Sequence, residues 1–315
     1  YVESVIDIPT GVVVELFVDR SFSPSNTVGT TESWLGRAQP YYAPPTADGI
    51  LEGDMYSFIT TGTDPHPAIY DGYVQMNFDQ VYQNGTPLGL CYYDNYLVLD
   101  DSRCCWDLFT VLLHEVTHAM GWISLLREDN GMAQSFYDPL KVFTKYDSEF
   151  LYKGDVLTGI FDKLILSTPE INPLLINTPN LLSGYSDIWL YNNGIPNNQP
   201  ILSGGVGGFS MQSPGSIISH MDDQRLSFPA RSQYSPGSII DYVMGPALTK
   251  QQLKRQWSLP ELRALFNLAY TLNPAFANST SLSVNGTDLN SFILFSNSAP
   301  YRSNNATPIW STDPV

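Results

Sequence analysis

The run Asp107-Leu-Phe-Thr-Val-Leu-Leu-His-Glu-Val-Thr-His-Ala-Met-Gly-Trp122 sets two histidines, His114 and His118, four residues apart, with Glu115 beside the first. On an α-helix that spacing puts both imidazoles on one face, about a turn from each other. Leu108, Val111, Leu112 and Ala119 give the same stretch an apolar side to bury. Two neutral imidazoles so placed can grip one zinc ion, and the adjacent glutamate can reach a water on it. The competing structural reading is a buried helix whose histidines are satisfied by hydrogen bonds. Histidine usage weighs against that: the chain has only 4, and two fall in this motif. Gly121 is a natural stop for the helix, just past the second histidine.

The rest of the chain constrains where such a helix can sit. Its 315 residues allow one large domain or two lobes, and 43% hydrophobic content is ample for a core. The 31 Asp and Glu outweigh 15 Lys and Arg, for a net charge of -16. That balance argues against nucleic acid or an anionic membrane surface as partner, since both need a basic patch. No apolar run is long enough to span a bilayer. The chain begins at Tyr1 and is read as a processed or trimmed product, with any signal peptide, propeptide or anchor, and any inhibitor, outside these residues. The cysteines are Cys91, Cys104 and Cys105. Either Cys91 bridges one of the neighbouring pair in an oxidising compartment, or all three are unpaired; the sequence does not choose. Asn84, Asn278, Asn285 and Asn305 each begin an Asn-x-Ser/Thr acceptor, a weak pointer to secretion.

In chain order, residues 1–20 read as strand, with Val12–Val14 and Leu16–Val18 apolar after the Pro9-Thr-Gly11 turn signal. Residues 22–49 are rich in Ser, Thr, Pro and Gly around a short apolar insert at Trp34 and Leu35, and 50–61 suit another strand. His66, in Asp64-Pro-His-Pro67, is expected in a loop and not as a ligand. Tyr73–Phe78 alternates as a strand, and 88–99 contains another. A turn over 100–106 then delivers the chain into the histidine helix. Segments near 135–151 and 155–166 are candidate short helices, and 169–216 is loop-rich. Ser258-Leu-Pro-Glu261 is a capping-box signature, with Leu262, Leu265, Phe266 and Ala269 following at helical spacing, so a helix is expected over 259–270. Residues 274–315 read as a polar appendage with one strand candidate around Phe292–Phe295.

A catalytic zinc site needs three protein ligands and an open position. Gly121 extends the motif to H-E-x-x-H-x-x-G, which resembles the metzincin zinc peptidases. The compact form of that family places its third ligand where this chain has Ser124, a neutral hydroxyl and a poor zinc ligand. Two solutions remain. One is a carboxylate from Glu128, Asp129 or Glu149, as in gluzincins. The other is His220, the only histidine downstream of His118. Its setting, Pro214-Gly-Ser-Ile-Ile-Ser-His-Met-Asp-Asp223, is similar to the third-ligand segment of the leishmanolysin-like branch, which carries a long insertion before that ligand. Val243-Met-Gly-Pro246 and the capped helix then follow in the order of those relatives, with Met244 in the place of the Met-turn methionine and Met221 and Met211 as rivals. Taken over roughly residues 70–270, the resemblance implies an α+β, two-lobe, metzincin-like domain over 1–273. Its upper lobe, about 1–121, would hold a mixed twisted sheet and the active-site helix. Its lower lobe, about 122–273, would be irregular and end in a helix.

The resemblance implies His114, His118 and His220 as zinc ligands and Glu115 as general base for water attack on a peptide bond. The substrate would be a protein or peptide extended against a sheet edge, with Tyr73–Phe78 as the expected edge. Asp222 and Asp223 suit either orientation of a ligand histidine or a solvated turn. The expected setting is extracellular or cell-surface. The alternative function is a surface structural or adhesive protein that keeps the fold without turnover.

Overall fold

The computed structural model describes residues 1–19, 35–47, 49–78, 81–83, 86–88, 90–91, 106–129, 132–135, 142–155, 160–163, 188–190, 219–220, 243–245, 257 and 259–274, and all structural statements concern these. They form a mixed α+β arrangement with a small mixed sheet and few helices. The first turn of helix, α1, is Val2–Val5; α2 is Asp54–Thr61, α3 is Leu108–Ala119 and α4 is Leu259–Asn267. The strands that position the site are β1 (Leu16–Asp19), β2 (Gly36–Pro40), β3 (Ile50–Leu51) and β4 (Gly72–Met76). They are followed by β5 (Val81–Gln83), β6 (Thr86–Leu88), β7 (Leu90–Cys91) and β8 (Trp106–Asp107). Beyond α3 come β9 (Leu126–Asp129), β10 (Met132–Ser135), β11 (Phe143–Thr144), β12 (Phe150–Asp155), β13 (Ile160–Lys163) and β14 (Ile188–Leu190).

The sheet under α3 has the order β1-β4-β2. β1 runs parallel to β4 with Leu16 opposite Gly72, and β2 runs antiparallel with Gly36 opposite Met76. Val74 and Met76 of β4 are buried in one core with Val111, Leu113 and Ala119 of α3. The same core takes in Trp122, Phe143, Tyr146 and Phe150, then Val243 and Met244, then Leu262, Leu265 and Leu268 around α4. The two ends of the described chain also meet. Ile6 bridges Leu272, the Asp7 N–H donates to the Thr271 carbonyl (2.8 Å), and the Asn273 N–H donates to the Val5 carbonyl (2.8 Å).

Several expectations change. The strand expected over residues 1–20 is confined to Leu16–Asp19, because Val12–Val14 follow a turn closed by the Val12 N–H on the Pro9 carbonyl and find no ladder among the described residues. The strand expected over 50–61 shrinks to Ile50–Leu51, and α2 follows. Its Tyr, Phe, Ile and Thr residues favour strands, but Met55, Tyr56 and Ile59 bury one helical face, and Gly62 at φ +73 closes the end. β2 forms where only a Gly- and Pro-containing connection was expected, since β4 offers it a partner edge. Of the candidate helices over 135–151 and 155–166, only one 3-10 turn is found among the described residues, Asp147–Glu149; the described remainder contributes β11, β12 and β13. Tyr73–Phe78 is a strand as expected, β4, but it is the central strand, and the edges are β1 and β2. The helix over 259–270 is present as α4. The cysteine pairing, the appendage beyond Asn273, and Met211, Met221, Asp222 and Asp223 lie outside the described residues. No helix among the described residues is long and apolar enough to cross a membrane.

Candidate metal centre

α3 begins at a buried cap. Asp107 accepts hydrogen bonds at Oδ2 from the Thr110 N–H (2.9 Å) and the Thr110 hydroxyl (2.6 Å), satisfying donors that the first turn leaves open. It ends at Gly121, whose φ of +99 is a left-handed turn that only glycine makes without strain. The turn sends the chain back under the helix, so that the Trp122 carbonyl accepts from His118 Nδ1 (2.7 Å). One glycine therefore both stops the helix and brings round the Trp122 carbonyl that orients the second histidine.

His114 is oriented the same way from a distant part of the chain. Its Nδ1–H donates to the Val243 carbonyl (2.6 Å). A carbonyl can only accept, so in both histidines the proton sits on Nδ1 and the Nε2 lone pair points into the site. Those two Nε2 atoms face each other at 3.1 Å. His220 completes the group: its ring lies 5.2 Å from that of His114, stacked, and 5.1 Å from that of His118, nearly perpendicular. One ligand atom from each of the three lies within 4.8 Å of the others. Converging lone pairs repel one another unless a cation or proton sits between them. Burial holds His118 down to about 4, so it remains a neutral donor across the physiological range. Three neutral nitrogen donors at this spacing could hold a metal ion.

Glu115 lies beside this group. It is 4% exposed, its Oε2 has no hydrogen-bond partner among the described residues, and burial alone pushes its carboxyl up to about 8. A carboxyl so buried ionises readily only next to positive charge, which a divalent ion on three neutral imidazoles would supply.

Two further parts of the centre escaped the sequence. Ser124, the position of the compact third ligand, serves instead as an anchor. Its N–H donates to Ser219 Oγ (2.9 Å), tying down the residue before His220. Its own hydroxyl donates to Asp147 Oδ1 (2.5 Å). Asp147 is fully buried and also accepts, at Oδ2, from the N–H groups of Leu125 (3.0 Å) and Thr144 (2.9 Å). Thr144 and Asp147, three residues apart, bond reciprocally, since the Asp147 N–H also donates to Thr144 Oγ1 (3.0 Å), a local Thr-x-x-Asp signal; the Ser124 and Leu125 donors come from a remote segment. On the opposite side, Met244 is fully buried, and its N–H donates to Glu261 Oε1 of α4 (2.7 Å). The carbonyl of its neighbour Val243 holds His114, so α4, the Met244 turn and α3 are linked in series. Thr117 of α3 accepts at Oγ1 from the Trp257 indole N–H (2.9 Å).

Of the carboxylate rivals for third ligand, Glu149 is in the 3-10 turn and outside the histidine group; the side chains of Glu128 and Asp129 in β9 lie outside the described residues. His66 is in a loop, with Nδ1 2.6 Å from Asp54 Oδ2. Compared with protein-family models, curated proteins and solved structures, the chain matches none.

The Asp147 hub carries a pH signature. Burial outweighs its hydrogen bonds and raises it to about 6, from an ordinary 3.8. The folded chain therefore binds this proton more tightly than the unfolded chain, and stability from this group grows as pH falls through that window. Relative to Asp147→Asn, which cannot titrate, the wild type is expected to gain up to about 3 kcal/mol between pH 7 and 4. Urea unfolding of both chains at several pH values reads this out; a difference independent of pH would refute it. Asp147→Ala, which strands three donors, is expected to cost about 3 kcal/mol or more at any pH.

Proposed function

We propose that the chain is a zinc-dependent endopeptidase of metzincin type, of the leishmanolysin-like branch, acting outside the cell or at its surface. The observation that carries the reading is the convergence of three imidazoles beside a buried, partnerless glutamate oxygen. His114, His118 and His220 would hold the metal, with Met244 in the turn behind them. When bound, zinc on three neutral ligands supplies a Lewis acid that polarises a carbonyl and makes water acidic near neutral pH. Glu115 Oε2 takes the proton of the attacking water and returns it to the leaving nitrogen. The Val243 and Trp122 carbonyls keep both ring protons on Nδ1, which holds the donor nitrogens toward the site.

The substrate is an extended protein or peptide segment. With β4 in the centre of the sheet, the strand that offers it an edge is β2, which pairs only with β4 among the described residues and passes Glu115 at Gly36. The acidic balance and the glycosylation acceptors support an extracellular setting. The order of α3, the His220 segment, the Met244 turn and α4 supports the two-lobe metzincin-like architecture.

The test is elemental analysis of protein purified without chelators, beside an assay on an unfolded protein substrate. About one zinc per chain, and cleavage that stops with a chelator and returns with zinc, is the expected result. A chain that neither retains metal nor cleaves the substrate when zinc is added would reject the reading in favour of a structural or adhesive protein.

A further inference from the structure

We infer that Gly36, on the edge strand β2, is a positioning residue for Glu115: the space left by its missing side chain is where the Glu115 carboxylate sits. This rests on the peptidase reading above. A Cβ at Gly36 would lie 2.6 Å from Glu115 Oε1, 2.7 Å from its Cγ and 2.9 Å from its Cδ. Three atoms of one side chain inside contact distance mean that the glutamate is seated on the strand backbone and does not merely graze it. The seat is rigid on both sides. Gly36 is in ladder register with Met76, and the neighbouring Leu35 carbonyl accepts from the Asn77 N–H (2.9 Å). Glu115 is carried by α3, which Val111 and Ala119 anchor in the core. A side chain at 36 would have to displace the carboxylate, because neither backbone can yield cheaply. Among the described residues Oε2 has no hydrogen-bond partner, and Oε1 faces the glycine, so packing against β2 is what aims this carboxyl. The strand that offers its edge to an extended substrate thus also sets where the proton acceptor stands relative to that substrate.

The experiment is a double-mutant cycle on the zinc-loaded chain. Gly36→Ala is expected to keep its metal and to lose roughly 10²-fold in kcat, the scale for displacing a reacting group by about 1 Å, with little change in KM. In a Glu115→Gln background the same change is expected to cost nothing further in kcat, because it acts through the group already disabled. Equal losses in both backgrounds, or an unchanged kcat in Gly36→Ala, would overturn the inference. If Glu115→Gln itself keeps full activity, the peptidase mechanism fails and not the packing argument. A second readout then decides: thermal melting of Gly36→Ala with and without Glu115→Ala. Destabilisation by Gly36→Ala that is relieved when Glu115 is truncated supports the seat, even where the single variant folds poorly; destabilisation of the same size in both overturns it.

Discussion

Glu115→Gln is expected to lower peptide hydrolysis by roughly 10²- to 10⁴-fold while leaving zinc content unchanged. The amide keeps the size and shape of the side chain and its seat against Gly36, so the centre should remain assembled. What it loses is the ability to take a proton. Because Glu115 is not one of the three converging imidazoles, metal stoichiometry should not follow activity. The loss should appear in kcat, since proton transfer is made in the transition state and not in substrate binding. Elemental analysis and steady-state kinetics on the same preparation separate the two quantities. Hydrolysis at the wild-type rate would remove Glu115 from the mechanism.

His220→Ala should do the opposite and abolish metal retention first. Loss of an outer hydrogen-bond partner typically costs ~10–100-fold in affinity, and loss of a direct ligand should exceed that. The effect should be selective, because His114 and His118 keep their carbonyl partners at Val243 and Trp122. Competition against a chromogenic chelator measures the affinity. Zinc held as tightly as in the wild type would send the third ligand to a carboxylate and detach His220 from the site. Acidification should release the metal as well, since each imidazole must be neutral to donate.

Much of the centre was legible in the sequence because it is local. The spacing of His114, Glu115 and His118, the apolar face of α3, the glycine stop at 121 and the capped helix at 259 follow from helix geometry within a dozen residues. His220 and Met244 could be named from short motifs, yet nothing local brings them to α3. Their arrival depends on Ser219 meeting the Ser124 N–H and on Glu261 meeting the Met244 N–H, hydrogen bonds between segments far apart in the chain.

The misassigned elements have a related cause. Asp54–Thr61 has strand-forming composition but buries a helical face, and Gly36–Pro40 has weak strand propensity but finds β4 beside it. Strand identity depends on a partner, and which partner is available is a tertiary fact. The same holds for the edge: Tyr73–Phe78 announces a strand by its alternation, but only the assembled sheet puts it in the centre and exposes β2. The sequence by itself determined the chemistry on offer, two imidazoles and a carboxylate on one helix. The tertiary structure decided how that chemistry is set. It brings in the third imidazole, fixes the proton on Nδ1 of His114 through a distant carbonyl, and packs Glu115 against a glycine that no motif singles out. Each of these is a contact between residues remote in sequence, whose pairing no local periodicity can encode.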